Sequence, residues 1–460
     1  MKLLTDNQIK YVLFHLLQHW QANEEVLNRF YFVDKNDFSS YKNSIIFSLS
    51  EDENICPIEF SVLNKTIPIL FPCEKKAENQ LFEMDSAGNL LFKHDYLKSA
   101  FYFLSGIQET ETKERDAIGR FPYSVSIQKQ LACCTIPVVN YYFEIILQGL
   151  EMFCQHHKIS FNRKYLFDNF GFFLSHDIDQ TKFFHYRETA HKLKQLLGLS
   201  PLNYSRKLTL NLFIKGLFYL INPFRGKDPW WNFDEMITLE KRLGIRSAFY
   251  FLRKERGSIG SRYLFSNRKI KKLVKTLENN DFETGLHATF FSADNNEIMM
   301  HQTKEFSSVY GKMPHGIRQH FLRFFHPKTF RLHEKAGFRY DTSLAFVEHE
   351  GYRNGYCYPF HPYDVENDRM FYIWEIPLIM MEQSILHYRK LDFAGLEEAA
   401  FALIEEARKF GGMFSLLWHN SRLTEYEYPG VNIFYAQLLE KIVGKNPEIF
   451  TGKKLIEKLC

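Results

Sequence analysis

Residues 172–179 read FFLSHDID: an apolar run that breaks off into a histidine and two aspartates. The same texture repeats through the C-terminal part of the chain. Short apolar runs stand at 247–252 (SAFYFL), 283–287 (ETGLH), 316–318 (GIR), 375–380 (EIPLIM) and 413–418 (MFSLLW). Between them lie stretches of helical periodicity at 234–243, 266–278, 328–336 and 396–410. Strands alternating with helices predict parallel strands joined by helical crossovers. So many runs suit a distorted (β/α) barrel better than a short open sheet, and in such barrels chemistry sits where strands end.

The preceding residues differ. Apolar alternation comes there in short pieces, such as 44–50 (SIIFSLS), punctuated by Asn, Asp and Pro, and 136–156 has helical periodicity. The pattern predicts a smaller α+β unit over residues 1–165, ahead of the barrel at 166–460. The charged run 109–115 (ETETKER) reads as an exposed loop.

Composition bounds the function classes. The chain has 460 residues, 58 Lys and Arg against 54 Asp and Glu, a net charge of +4 and 45% hydrophobic residues. That is globular, excludes a disordered or collagen-like chain, and exceeds what one core usually holds. With no polybasic tail and so small a net charge, nucleic acid is not expected as a partner. Seven cysteines at irregular positions form no CxxC pair, which reads as reduced, cytoplasmic usage. Residues 1–20 carry Asp6 and Lys10 within a helical pattern and lack the unbroken apolar core of a signal peptide.

No stretch is long and apolar enough to predict a spanning helix. The nearest is 208–224 (LTLNLFIKGLFYLINPF), after Arg206 and Lys207. It reads as a buried or lid helix, with peripheral membrane contact as the alternative.

Four apolar runs end in ionisable groups: Asp177 and Asp179, then His287, then Arg318 with His320 and Arg323, then His419 beside Trp418. A lone histidine after a strand is usually a packed, hydrogen-bonded side chain; four such endings form a constellation. In extended chain Asp177 and Asp179 point to one face, where two carboxylates repel unless a cation or shared proton intervenes. A divalent metal on one would leave the other free as a base. The plainer alternative, capping the next helix, uses only one of them. The loop 356–364 (YCYPFHPYD), with Tyr358 and His361, and the pair Trp230-Trp231 could stack on sugar rings, although the tryptophans could equally anchor the helix that follows.

Taken together, SHDID (175–179), GLH (285–287), GIRQHFLRF (316–324), YDTSL (340–344), EIPL (375–378) and LLWHN (416–420) resemble the polysaccharide deacetylase superfamily, carbohydrate esterase family four, with its NodB-homology domain. They look like a bacterial subgroup with an extra N-terminal domain, whose closing segment DAIGRFP (116–122) and PVVN (137–140) resemble. The resemblance implies a metal-dependent hydrolase that removes an N-acyl group from a saccharide or glycan precursor. It implies Asp177 as base, His419 as acid, and Arg323, with Arg318 as second choice, orienting the base. The implied metal ligands are Asp179 and His287. The family's second metal histidine would fall at Phe291, which cannot ligate, so His320 is the expected replacement. Arg318, Trp418, Tyr358 and His361 are the expected substrate contacts. Histidine and carboxylate donors suit zinc, with cobalt, manganese or nickel as alternatives. Two other readings keep the fold: hydrolysis of another amide C–N bond, and a saccharide-binding pseudo-enzyme.

Overall fold

Thr5 and Gln8 start the first helix. The Thr5 hydroxyl accepts from the Gln8 backbone N–H, while the Gln8 side chain accepts from the Thr5 N–H, and this reciprocal cap sets α1 at Asp6–Leu16. Ile9, Val12 and Leu16 recur on its buried face. The structure is a computed structural model that describes residues 3–34, 38, 40–73, 80–222, 228–255 and 259–460.

Strands β1 (Phe30–Val33), β2 (Ile45–Ser48), β3 (Ile58–Val62), β4 (Lys65–Ile69), β5 (Phe82–Met84) and β6 (Leu90–Phe92) follow. Four of them form a small sheet in the order β1-β2-β6-β5, and β3 with β4 makes a hairpin. Helices α2 (Tyr96–Ser105) and α3 (Val138–His156) pack against each other and bury most of their length. The run 109–115 is exposed as expected from Thr110 onward, with Thr112 half-buried, and Glu109 is the exception. Glu109 is buried, and its carboxylate accepts a hydrogen bond from Arg353 Nε at 2.9 Å and stands in ion-pair contact with Nη2 at 2.8 Å. A charge leaves water this completely only when such a partner meets it.

The C-terminal part is a curled, all-parallel sheet. Its strands are β7 (Gly171–Ile178), β8 (Ala248–Leu252), β9 (Glu283–Ala288), β10 (Gly316–Gln319) and β11 (Tyr340–Asp341). After a small hairpin, β12 (Tyr363–Asp364) with β13 (Arg369–Met370), come β14 (Trp374–Glu375), β15 (Met380–Met381), β16 (Met413–Leu417) and β17 (Glu448–Ile449). The order is β14-β11-β10-β9-β8-β7-β16-β15, with β17 on the start of β7. The end strands β14 and β15 belong to one run, 374–381. That run pairs with β11 at its start and β16 at its end, so a single stretch of chain joins the two edges into a distorted barrel. Both faces of these strands are covered, which is why they read as continuous apolar runs rather than alternating ones.

The helices between strands are α4 (Tyr186–Leu196), α5 (Arg206–Ile221), α6 (Phe233–Arg242), α7 (Arg268–Glu278), α8 (Asn296–Tyr310), α9 (Lys328–Ala336), α10 (Phe393–Arg408) and α11 (Val431–Val443). Among the described residues no helix is long and apolar enough to cross a membrane. One apolar cluster runs from Leu4 and Val12 through Phe101 and Tyr142 to Phe249 and Leu438.

The glycines of GLH and GIR have a packing cause. Tyr250 and Tyr340 share a hydrogen bond of 2.9 Å inside the barrel, and both are buried. A Cβ at Gly285 would sit 2.6 Å from the Tyr250 ring, and one at Gly316 2.1 Å from the Tyr340 ring. Gly316→Ala is therefore expected to destabilise the fold by about 1–3 kcal/mol through overpacking, read as a lower denaturation midpoint. A variant as stable as the wild type would mean that Tyr340 can swing aside.

Candidate metal centre and active site

Strand periodicity puts Ser175, Asp177 and Asp179 on one face at the C-terminal end of β7. Two strands away, near the end of β9, His287 lies level with Arg318 of β10. His320 follows in a tight turn in which Phe321 and Leu322 both have positive φ, 62° and 51°. Two successive non-glycine residues in the left-handed region are costly, and such strain collects at sites where a side chain must be aimed. The turn redirects the chain just after His320, whose ring lies against His287.

Three donor atoms meet there. His287 Nε2 lies 3.0 Å from His320 Nδ1 and 3.2 Å from Asp179 Oδ1, and His320 Nδ1 lies 3.4 Å from the same oxygen. His287 Nδ1 is 3.0 Å from the Arg318 carbonyl. A carbonyl only accepts, so the ring carries its proton on Nδ1 and turns the Nε2 lone pair inward. Asp179 Oδ1 is buried without a hydrogen-bond donor. Lone pairs converging on one point call for a cation, and ligands on a tetrahedral zinc with bonds of about 2.0–2.1 Å stand roughly 3.3 Å apart. The donor set fits a divalent metal. Burial raises the Asp179 carboxyl, but the imidazoles of His320 and His287 outweigh it and hold it well below the usual carboxylate range. Burial pushes His320 down to about 4, which favours the neutral, ligating ring.

Asp177 stands beside this triangle, its Oδ2 3.6 Å from His287 Nε2. Its Oδ1 accepts from Arg318 Nη1 at 2.9 Å. Arg318 is fully buried and fixed by the Thr342 carbonyl at 2.8 Å, the Thr342 hydroxyl at 3.1 Å and Ser175 Oγ at 3.0 Å, with its cation over the Tyr250 ring. Burial opposes ionisation of Asp177, yet the guanidinium keeps its carboxyl below the ordinary value.

On the other flank is His419, just after β16. Its Nδ1 is 2.7 Å from Glu382 Oε1, and its Nε2 faces Asp179 Oδ2 at 3.9 Å. Burial pulls the imidazole down, but the Glu382 carboxylate prevails and holds it up at about 9, so it is a cation at neutral pH. Behind it, buried His176 bonds the Trp418 carbonyl at 2.7 Å and Glu240 at 2.9 Å, fixing the backbone that carries His419. Asp177, Asp179, His287, His320 and His419 line a cleft of about 120 Å³ with Phe321, Leu322, Val347, Met381, Gln383, Tyr388 and Leu417.

Asp177, Asp179, His287, His320 and His419 are thus together, while other expected residues are not. Arg323 bonds the Ile118 and Phe290 carbonyls, 2.8 and 3.0 Å away, and does not reach Asp177. Arg318 takes that place and is too buried to be a substrate contact. Trp418 is sealed against Tyr435. Tyr358 donates to the Phe410 carbonyl and packs on His19; His361 lies against Trp374 and accepts α1's Tyr11 hydroxyl on its carbonyl. The loop 356–364 is therefore covered by the N-terminal residues instead of lining the cleft. Trp230 packs in an aromatic cluster with Phe183, and Trp231 lies against Phe233.

Among the residues the sequence reading missed are Glu382, buried behind His419, and Arg120 in the cleft wall. Glu382 follows a two-residue strand whose place depends on barrel closure, so no local pattern marks it. Arg120, in the DAIGRFP segment, lines the cleft from the N-terminal part and donates to the Phe321 carbonyl at 3.0 Å.

Residues 4–155 match a family of unknown function, DUF7033. No curated protein matches the chain. Among solved structures it is similar to a putative polysaccharide deacetylase from Mycobacterium smegmatis, at 13% identity and a TM-score of 0.41, over 63% of this chain and 89% of that one. A probable polysaccharide deacetylase from Pseudomonas aeruginosa PAO1 gives 13% identity and a TM-score of 0.38 over the same shares. A CE4 family pseudoenzyme from Bacillus anthracis gives 6% and 0.32, over 63% of this chain and 66% of that one. The similarity is one of distant folds, and the roles of the cleft residues rest on the distances above.

Proposed function

We propose that the chain is a metal-dependent hydrolase that cleaves an N-acyl amide, with an N-acetylated saccharide or glycan precursor as its substrate. One observation carries this reading: a triangle of lone pairs of metal-binding size is flanked, within 4 Å, by a carboxylate on one side and an imidazolium on the other. Asp179, His287 and His320 would hold the metal, zinc by their donor set. A divalent ion there supplies a polarised carbonyl and a water of lowered pKa.

The chain's own groups move the protons. Asp177 takes the proton from water through Oδ2, since Oδ1 is committed to Arg318. Arg318 keeps the carboxylate ionised and correctly turned. His419 gives the proton on Nε2 to the departing nitrogen, while Glu382 steadies the imidazolium through Nδ1. An amide nitrogen leaves poorly without that proton, so an acid on this side is required. The cleft's volume suits the acyl amide itself, with the rest of the substrate lying outside, near Phe321 and Arg120. Division of labour at residue 165 is part of the proposal: 166–460 perform the chemistry, and 1–165 brace the barrel and close one side of the cleft.

Release of acetate from a panel of N-acetylated oligosaccharides by the zinc-, cobalt- or manganese-loaded protein tests the reading. Glu382 adds a pH prediction. His419 acts as an acid only while protonated, so activity falls as pH rises through its pKa. Removing the carboxylate that holds that pKa up lets the proton leave sooner. Glu382→Gln is expected to move the alkaline limb of the rate profile to lower pH and to reduce the maximum rate. An unmoved limb would take Glu382 out of the proton path.

A further inference from the structure

Between Asp179 and α6 the chain leaves the barrel as a helical hairpin, α4 packed on α5, in close contact where Gly216 meets Thr189. The hairpin breaks the usual rule for a surface helix. Thr209, Leu212 and Gly216 face inward on α5, yet Leu210, Ile214, Leu217, Phe218 and Ile221 form a second apolar stripe that is exposed. Phe218 is 63% and Ile221 84% exposed. The stripe follows helical spacing and lies opposite the buried face, so α5 is apolar on both sides. On α4, Tyr186 and Leu193 repeat the device, and Leu197, Leu199 and Leu202 expose the connection. The expectation of a buried or lid helix thus holds for one face only; Pro223 and Phe224 of that segment lie outside the described residues.

Charge supplies the second observation. Residues 182–221 contain a single acidic residue, Glu188, which pairs with buried Lys192. Lys182, Arg187, Lys194, Arg206, Lys207 and Lys215 are all exposed. The hairpin therefore carries a larger positive charge than the whole chain's +4.

We infer that this hairpin is a docking surface for an anionic phospholipid bilayer, lying in the headgroup region with the α5 stripe inserted. Apolar side chains flanked by lysine and arginine match that interface, whose apolar depth takes the stripe and whose phosphates take the cations. Helix α5, at 16 residues, is about 24 Å long and lies on the bilayer without spanning it. A second copy of the same hairpin is the poorer occupant, because two strongly basic surfaces would face each other. The hairpin follows directly from the strand end that bears Asp177 and Asp179, so docking sets the cleft beside the lipid surface and favours substrates carried there. The inference does not depend on the hydrolase reading, because its readout is binding.

The full chain, sedimented with phosphatidylcholine vesicles, is expected to bind when about a third of the lipid is phosphatidylglycerol, to bind pure phosphatidylcholine at least about tenfold less, and to be released by salt. Ile214→Glu combined with Phe218→Glu is expected to lower the bound fraction about tenfold with an unchanged melting temperature, both residues being exposed. Absence of binding to the anionic vesicles overturns the inference, as does equal binding to both vesicle types or undiminished binding by the folded variant. A wild-type dimer that the same substitutions convert to monomer, without vesicle binding, would assign the surface to self-association instead.

Discussion

Asp177→Asn is expected to lower turnover by about 10²–10⁴-fold, the usual range for losing a general base, while bound metal and fold are retained. The physical case is local. Asp177 stands next to the triangle but outside it, and Arg318 makes one of its two oxygens a fixed acceptor. The Asn amide keeps the shape and can still accept from Arg318 through its oxygen, but it cannot take a proton. Steady-state rates and metal content measured on one sample separate the two roles. Loss of metal in the variant would make Asp177 a ligand, and unchanged turnover would remove it from the reaction.

His287→Ala is expected to have the still larger effect of abolishing both stoichiometric metal binding and activity. His287 Nε2 is the shared corner of the cluster, 3.0 Å from one donor and 3.2 Å from the other, and its tautomer is set by the Arg318 carbonyl. Deleting it leaves two donors, too few to hold zinc in competition with water. Elemental analysis of dialysed protein, with circular dichroism as the control for folding, reads the outcome. A folded variant with full metal would place the metal elsewhere.

Much of this arrangement is legible in the sequence, for a reason that also marks where legibility stops. Apolar runs that end in ionisable residues record a fully buried parallel strand and the polar residues at its end, so β7, β9, β10 and β16 can be read with their terminal residues. The alternation of two along an extended strand brings Asp177 and Asp179 to one face without any tertiary information. Arg318 and Arg323 cannot be told apart this way. Residues 321 and 322 take left-handed backbone, and that turn sends Arg323 toward Ile118 while Arg318 stays in the sheet. Glu382 is hidden because its position depends on the closure of the barrel by 374–381, a contact between residues far apart in the chain. Tyr358 and His361 mislead because aromatic residues look alike whether they line a cleft or a core, and the N-terminal residues that cover them, Tyr11, Phe14 and His19, are more than three hundred residues away.

Metal content and acyl release measured together on the wild-type protein test the central claim most directly. One divalent ion per chain, with acetate released from at least one N-acetylated saccharide and both lost on chelation, is the expected result. A full complement of metal with no acyl release from any N-acyl saccharide would contradict it and leave a binding protein built on a hydrolase-like cleft.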